Sequence, residues 1–354
     1  MPAPTRRVPD PKPAPNPRVV PKGGSFDIVS VVPDFEPFID YRKNRFGAAV
    51  REMGYSHHTH VGGDYGSIRF LLENNSVRVI LDETLRIAKD RLALLAADYP
   101  HTQFIGLCHA DPRDAYLHGT LGHRVDSCLD LATLRDNVRF GHVMPEIRFV
   151  GHPKMAHVVI PNVPTVPDEF LALPRKRPRH PVRILIAGRA DPLKGWGVAV
   201  ETLLRLHECE PTRAFEVTLL VPDRTERIEI HARRLRLAGI MTFVERWKPW
   251  SLYFSALPEM ADVLLAPSVS ESFGLTAWEC AAHGIPVIGS HALWWLPPAC
   301  RFDHADVEGL WRGVVRDLRD YERSSRAMVH VAEQTRRTHL SVLRDSLKEL
   351  LGCA

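Results

Sequence analysis

Short apolar runs rich in β-branched residues alternate along this chain with longer stretches whose apolar positions recur every three or four residues. Phe26–Val32, Val77–Leu81 and Phe104–Cys108 are runs of the first kind and predict buried strands. Asn44–Met53, closed by Gly54, and Glu83–Ala97, with Leu85, Ala88, Leu92 and Leu95 on one face, predict helices. Two more short strands are expected at Val125–Leu131 and His157–Ile160. Further along, strands at Val182–Ala187, Phe215–Val221, Ile240–Val244, Val263–Ala266 and Ile285–Gly289 are interleaved with helices at Gly197–Glu208, Thr225–Leu237 and Thr276–His283. Asp306–Leu351 is helical in pattern and fits two or three helices. Such alternation predicts α/β architecture with parallel sheets, whose ligands lie at the carboxyl ends of the strands.

Two breaks in the pattern divide the chain. Residues 1–24 are dominated by Pro, Ala and basic residues and read as a disordered, Pro-rich basic tail. Residues 164–181 are Pro-rich and basic and read as a linker. Residues 25–163 and 182–330 are then two α/β domains facing a cleft, and 331–354 is a C-terminal helix for which the first domain is a candidate packing partner. A length of 354 residues suffices for two domains of ordinary size.

Composition narrows the class. The six cysteines (Cys108, Cys128, Cys209, Cys280, Cys300, Cys353) show no C-x-x-C spacing, which argues for reduced thiols and against a disulfide framework or zinc site. No apolar run approaches a membrane span and no apolar signal core stands near the N-terminus, so a cytoplasmic location is expected, the host's cytoplasm for a viral chain. The net charge of +4 is mild. Basic residues gather in the tail (Arg6, Arg7, Lys12, Arg18, Lys22), at Arg42-Lys43-Asn44-Arg45, from Arg175 to Arg179, and from Arg224 to Arg236. Each cluster alone fits a solvated face; together they admit an anionic partner.

Two groups of residues carry candidate chemistry. In Glu271-Ser272-Phe273-Gly274-Leu275-Thr276-Ala277-Trp278-Glu279, two carboxylates stand eight positions apart across a small-residue turn between a strand and a helix. With Glu271 in the loop and Glu279 inside the helix, Ser272 is the expected N-cap and Gly274 lets the backbone approach a ligand. The amides of Phe273, Gly274, Leu275 and Thr276 would face an anion at the helix start, a place suited to a diphosphate. Spacing alone favours a strand–turn–helix with two incidental acids. In the second group, Gly188 and Arg189 follow the strand Val182–Ala187, and Lys194 and Gly195 come shortly after. Arg189 can hold two phosphate oxygens with its fork, and Lys194 adds a compact charge. Fixed cations there would stabilise a transition state in which negative charge builds on a leaving diphosphate.

The glutamate pair, within Glu-Ser-Phe-Gly-Leu-Thr-Ala-Trp-Glu-Cys-Ala-Ala-His-Gly-Ile-Pro-Val-Ile, resembles the E-x7-E signature of GT-B fold retaining glycosyltransferases, most like glycosyltransferase family four. Gly188-Arg189 and Lys194-Gly195 resemble that family's phosphate-binding Arg and Lys, and Val159-Ile160-Pro161-Asn162-Val163 resembles the segment closing its first domain. The resemblance spans residues 155–320. It implies two Rossmann-like domains around a central cleft. It also implies transfer of a sugar from a nucleotide-diphosphate donor to an acceptor hydroxyl with retained configuration. UDP-sugars come before GDP-sugars in this expectation, and no metal or other cofactor is obligatory. Glu271 would face the donor sugar, Arg189 and Lys194 the diphosphate, and Glu279 the ribose. His109, after the strand ending at Cys108, resembles the family's first-domain histidine near the reacting carbon; a structural hydrogen bond is the plainer role for a loop histidine. Trp247, past the strand Ile240–Val244, is placed to border a nucleobase or to join the core.

The first half departs from the family pattern. The loop Pro33–Arg42 lacks the Gly-Gly pair usual after the first strand. Arg42, Lys43 and Arg45 beside that loop, and Asp111 after His109, are the acceptor-side candidates. A small molecule, a glycan or a lipid-linked compound is the family's ordinary acceptor. The basic tail, the cluster at 42–45 and the basic linker raise a second one, a hydroxymethylated base in viral DNA. Binding there would weaken steeply with salt, and the base would have to be reached or flipped. An epimerase or phosphorylase on the same fold, or a binding protein that kept the nucleotide cleft, are the remaining readings. His57-His58-Thr59-His60 puts two imidazoles on one strand face without a carboxylate or cysteine to complete a metal site, so a surface strand is expected. Gly62-Gly63-Asp64-Tyr65-Gly66 fits a loop over the cleft or a turn, and Trp294-Trp295 stands where small residues are expected.

Overall fold

A computed structural model describes residues 22–109, 120–145, 157–164, 175, 177–247 and 249–352. In the first half β1 (Ser25–Val32) leads into α1 (Glu36–Asp40), a π-helical turn (Tyr41–Phe46) and α2 (Gly47–Glu52). There follow β2 (His57–Val61), α3 (Tyr65–Asn74), β3 (Ser76–Glu83), α4 (Lys89–Asp98), β4 (Gln103–Cys108), α5 (Leu121–Leu134), β5 (Val138–His142) and β6 (His157–Val159). The second half runs β7 (Val182–Ala187), α6 (Trp196–Cys209), β8 (Phe215–Val221), α7 (Glu226–Leu237), β9 (Met241–Arg246) and α8 (Trp250–Met260). It continues with β10 (Val263–Ala266), α9 (Leu275–Ala282), β11 (Val287–Ser290) and β12 (Arg301–Phe302), then α10 (Val307–Arg319) and α11 (Tyr321–Leu351).

The strands form two six-stranded sheets, of order β2-β1-β3-β4-β5-β6 and β12-β11-β10-β7-β8-β9. Every pairing between them is parallel. In the first sheet the chain order reverses between β1 and β3, and in the second between β7 and β10. Loops leave such neighbouring strands in opposite directions and open a crevice at their carboxyl ends. The four loops that matter below all leave from these two switch points or the strand beside them.

Apolar side chains on the buried strands build the cores. Val182, Ile184 and Ile186 pack with Val217, Leu219 and Val221 under α6 and α7. Leu185, Leu264 and Val287 face the other side of that sheet, against Phe254, Trp278 and α11. Helix α11 belongs to both domains. Its Met328 and Ala332 lie in the second domain's core, while Leu343, Leu347, Leu350 and Leu351 lie in the first domain's core with Ile28, Val79 and Ile105. A helix of 31 residues reaches roughly 45 Å, enough to cross from one core to the other. Polar contacts tie its far end down: Ser346 Oγ donates to Val159 O at 2.7 Å, His339 Nδ1 to Asn162 O at 2.6 Å, and Arg78 to Leu351 O. Tails 1–21 and most of the linker lie outside the described residues.

Several expectations are corrected. Val125–Leu131 is not a strand but part of α5, whose buried Val125, Cys128 and Leu129 keep helical spacing. Glu83 does not start a helix: β3 runs through it, and α4 begins only at Lys89. Asp82 causes the delay, because its carboxylate accepts the amides of Arg86 and Ile87 at 2.9 Å, and Thr84 and Leu85 take positive φ in the turn between. The stretch Pro33–Arg42 is largely helical rather than a loop. His57–His60 is an edge strand but not a surface one; His58, Thr59 and His60 are buried. No cluster able to hold a metal occurs among the described residues. Gly62–Gly66 turns into α3, with Asp64 as the N-cap accepting from Ser67 N. The five described cysteines are all thiols, and no described helix is long and apolar enough to cross a membrane.

Because α11 is shared, its distal leucines should stabilise the first domain directly. Leu343→Ala and Leu347→Ala, each at a position with no exposed surface, are expected to cost about 2–5 kcal/mol apiece. Urea unfolding would read this; loss of less than half a kcal/mol at both would show that the helix end is not part of that core.

Candidate active site

The two loops at the second domain's switch point are stitched together. After β7, Asp191 caps a 3-10 turn (Pro192–Lys194) by accepting from Leu193 N at 2.9 Å. Gly195 then adopts φ 65°, where a Cβ would stand 2.0 Å from Pro267 O of the loop after β10. Val269 N donates to Leu193 O at 2.8 Å across the same seam. This backbone contact aims Lys194 at the other loop: its Nζ lies 2.6 Å from Glu271 Oε1, which also accepts from Ser268 Oγ at 2.8 Å. Lys194 and Glu271 keep 20% and 12% of their side-chain surface. Arg189 is 56% exposed, its Nη2 3.5 Å from Asp191, and its carbonyl is held by Trp196 Nε1 at 2.7 Å. Gly188 sits against the Lys194 stem.

The helix that carries the second glutamate opens at Gly274, not at Ser272. Gly274 turns the chain with φ 72°, and a Cβ there would stand 2.3 Å from Leu293 Cδ2. The first amides of α9, from Leu275 and Thr276 onward, therefore point out at the crevice with the positive end of the helix dipole. Phe273 sends its ring inward. It packs against Trp294, Trp295 and His339, and Trp295 Nε1 donates to its carbonyl at 2.7 Å. Trp294 stacks on His339 with ring centres 5.8 Å apart. The tryptophan pair thus braces the glutamate loop against α11. Trp247 is half-buried, with its ring against the second domain's core and its amide on Val221 O at 2.9 Å.

Glu279 meets a partner from the other domain. Arg45 Nη1 donates to Glu279 Oε1 at 2.6 Å, and both side chains are almost wholly buried. The Tyr253 hydroxyl lies beside them; burial, then the Glu279 charge, raises its pKa well above that of an ordinary phenol. Arg42, one helical turn before Arg45, points instead into the first domain. Its Nη2 stands 2.7 Å from Glu83 Oε2, and neither side chain has exposed surface. His109 Nε2 lies 2.6 Å from the same oxygen. The Arg42 guanidinium sits over the rings of Phe46, at 4.3 Å, and Tyr41, contacts that help a buried cation. Tyr41 anchors the turn by accepting the Val163 amide at 2.7 Å.

Arg42 and Arg45 are therefore not an exposed acceptor-side patch, which corrects that expectation. The bulge of the π-turn brings both inward, and each charge is consumed by a buried carboxylate. Lys43 remains half-buried beside them, and Asp111 lies outside the described residues. Glu271, Lys194 and Arg189 come together at one switch point; His109 stands at the first domain's side, with Arg42 and Glu83. Glu83 was missed because it was assigned to a helix. The signal was present in Asp82-Glu83 at the end of an apolar strand run, where carboxylates face a crevice.

Residues 145–292 match a family described as family 4 glycosyltransferase in conflict systems. Curated proteins similar to this chain are D-inositol 3-phosphate glycosyltransferases. That of Corynebacterium aurimucosum is 31% identical over 121 residues, 32% of this chain and 28% of that protein. That of Streptomyces griseus is 34% identical over 130 residues, 33% of this chain and 26% of its own. The chain spans about a quarter of the length of these curated relatives it matches. Among solved structures, a glycosyltransferase from Rickettsia africae gives a TM-score of 0.62 at 14% identity, covering 93% of this chain and 100% of that one. An E. coli trehalose-6-phosphate protein bound with UDP-2-fluoro glucose gives 0.62 at 12% identity, over 93% and 99%. Sucrose-phosphate synthase from Thermosynechococcus elongatus gives 0.59 at 15% identity, over 92% and 97%. Likeness at such identities is one of fold, and the fold is GT-B.

The buried pair across the domains predicts a non-additive stability pattern. Arg45→Met, leaving a buried carboxylate without its cation, is expected to cost about 3–5 kcal/mol, as is Glu279→Met. The double variant should cost clearly less than the sum of the two in urea unfolding; simple additivity would mean the pair does not act as a unit.

Proposed function

We infer that this chain, a family-4-like glycosyltransferase of the GT-B fold, transfers a sugar from a nucleotide-diphosphate donor to an acceptor hydroxyl with retention of configuration. The observation that carries the reading is the Lys194–Glu271 contact of 2.6 Å at the switch point of the second sheet. It joins two motifs that stand 77 residues apart in the chain, at the place where an open parallel sheet receives its ligand. A lysine, an exposed arginine and a helix N-terminus gather at that point, with the Glu271 carboxylate against the lysine.

The diphosphate lies on Lys194, Arg189 and the first amides of α9. As the glycosidic bond breaks, negative charge grows on the leaving phosphate, and these groups stabilise it without having to reorient. They supply the positive charge at the leaving group, so the reading calls for no obligatory metal. Glu271, held in place by Lys194 and Ser268, faces the hydroxyls of the donor sugar. Bond breaking leads, and the acceptor hydroxyl attacks on the face the diphosphate is leaving and passes its proton to the departing phosphate oxygen, which retains configuration and needs no side-chain nucleophile. Glu279 receives the ribose on the carboxylate it shares with Arg45. His109 closes the reacting centre from the first domain.

For the donor, UDP-sugars come first; the E. coli structure of the same fold is bound with UDP-2-fluoro glucose. For the acceptor, a small hydroxyl-bearing molecule or glycan is favoured over DNA. Two of the three basic side chains at 42–45 that suggested a nucleic-acid surface are buried in ion pairs. A panel of nucleotide-sugars, followed by nucleotide release with and without hydroxymethylated DNA, tests both choices. Lys194→Ala and Glu271→Ala are expected to lower transfer by about 100- to 1000-fold while keeping the melting temperature near that of the parent chain. Full activity in both variants would sink the reading, and salt-sensitive transfer to DNA would reverse the choice of acceptor.

A further inference from the structure

We propose that Glu83 is a positioning residue: it fixes His109 as the Nε2–H tautomer, so that the imidazole meets the substrate through Nδ1, as a hydrogen-bond acceptor. Arg42 holds Glu83 for that task. The proposal rests on the reading that His109 faces the reacting sugar, and it deepens that reading by stating what kind of group His109 can receive.

The placement follows from the sheet. Glu83 pairs with Leu107 in the register of β3 and β4, so Glu83 and His109, two residues beyond Leu107, emerge side by side at the carboxyl ends of neighbouring strands. Glu83 Oε2 has two neighbours, Arg42 Nη2 at 2.7 Å and His109 Nε2 at 2.6 Å. A carboxylate can only accept, and a contact this short to a ring nitrogen requires the proton on that nitrogen. Arg42 Nη2 stands 3.1 Å from the same Nε2, but an arginine can only donate, so both N–H groups point at the shared oxygen rather than at each other. The neutral ring then keeps its lone pair on Nδ1. Phe38 fixes the ring plane from the edge, with centroids 4.9 Å apart and planes at 75°.

Exposure separates the roles. Arg42 and Glu83 have no exposed side-chain surface, whereas His109 keeps 14%; of the three, the imidazole alone is open to a ligand. Among the described residues, the charged groups that face it are Glu83 from β3 and Arg42 from the π-turn, with Phe38 of α1 a third neighbour. Burial lowers the pKa of His109 below its ordinary value, with Glu83 opposing and Arg42 assisting. The ring is therefore neutral at pH 7. Such a group takes a hydrogen bond from a hydroxyl and offers nothing to a phosphate or carboxylate oxygen. The substrate atom opposite His109 is accordingly a hydrogen-bond donor, and on a sugar or a hydroxyl-bearing acceptor that donor is a hydroxyl. The uncommitted Glu83 Oε1 and Arg42 Nε and Nη1, all buried without a partner, show that this pair serves the histidine at some expense of its own hydrogen bonding.

Nitrogen NMR of the 15N-histidine protein reads the tautomer directly, with the His109 signal assigned by its absence from His109→Gln. In the parent chain at pH 7.5 the expected result is one tautomer, protonated at Nε2 and bare at Nδ1. A ring protonated at Nδ1, or an equal mixture, overturns the proposal whether or not the enzyme transfers sugar. In Glu83→Gln the anion that favours the imidazolium is gone, so the His109 pKa should fall further. Transfer needs the bare Nδ1 and is lost as pH falls through that pKa, so the acid limb of kcat should move to lower pH in the variant. kcat at pH 7.5 should drop by at least about tenfold as the tautomer loosens, with donor KM little changed. An acid limb that stays put also overturns the proposal. If His109→Gln retains full transfer while the parent ring shows the expected tautomer, the placement of His109 at the reacting sugar fails, and the assignment of its proton stands.

Discussion

Two arginine charges taken out of water set the conditions for the rest of the cleft. Arg42 and Arg45 lie on one π-helical turn, and neither could be buried without a carboxylate at hydrogen-bonding distance, because an unpaired ion in the interior is far too costly. Glu83 answers one and Glu279 the other. The second pairing joins the domains, so the contact between them and the neutralisation of both charges rest on the same pair. Around it the arrangement is over-determined. Tyr41 fastens the turn to Val163, and His339 fastens α11 to Asn162. Trp294 and Phe273 then pack on that same histidine. The loop that bears Glu271 is thereby braced by the element that spans both cores.

This bracing accounts for Trp294-Trp295, which had no reason in the sequence. Large aromatic side chains after β11 look misplaced beside a ligand loop. They become reasonable once one of them donates to the Phe273 carbonyl and the other lies on His339. A loop held from behind can present Glu271 to the crevice without its own packing. Burial leaves His339 with a pKa of about 4, so this joint is uncharged near neutral pH.

What could be read from the chain divides along physical lines. Strands of β-branched residues in buried parallel sheets are nearly continuous apolar runs, so Val182–Ala187 and Phe215–Val221 stand out with their observed bounds. The turn at Gly274 and the cations at Arg189 and Lys194 are local in sequence, and their spacing carried a resemblance that the comparisons bear out at the level of fold, with a family 4 glycosyltransferase model matching residues 145–292. Long-range partners are another matter. Nothing in Arg42-Lys43-Asn44-Arg45 distinguishes a solvated basic patch from a pair of buried cations, since the deciding carboxylates lie 41 and 234 residues away in one fold. Helix α5 failed for a different reason: Val125, Cys128, Leu129 and Leu131 fit a short strand nearly as well as a helix face. Glu83 failed because a single aspartate before it holds the chain in a turn for five residues.

The π-turn has a thermodynamic consequence. Arg42 and Arg45 are three residues apart on one turn, one paired with Glu83 beside His109 and the other with Glu279 of the second domain. A displacement of that segment as a whole would move both guanidinium groups at once. A ligand that shifted the turn from the Glu279 side would then also alter the surroundings of His109. Any free energy by which a ligand on one side alters the other is returned in equal measure when the order of binding is reversed. The two halves of the cleft are thus joined through one short turn, Tyr41–Phe46.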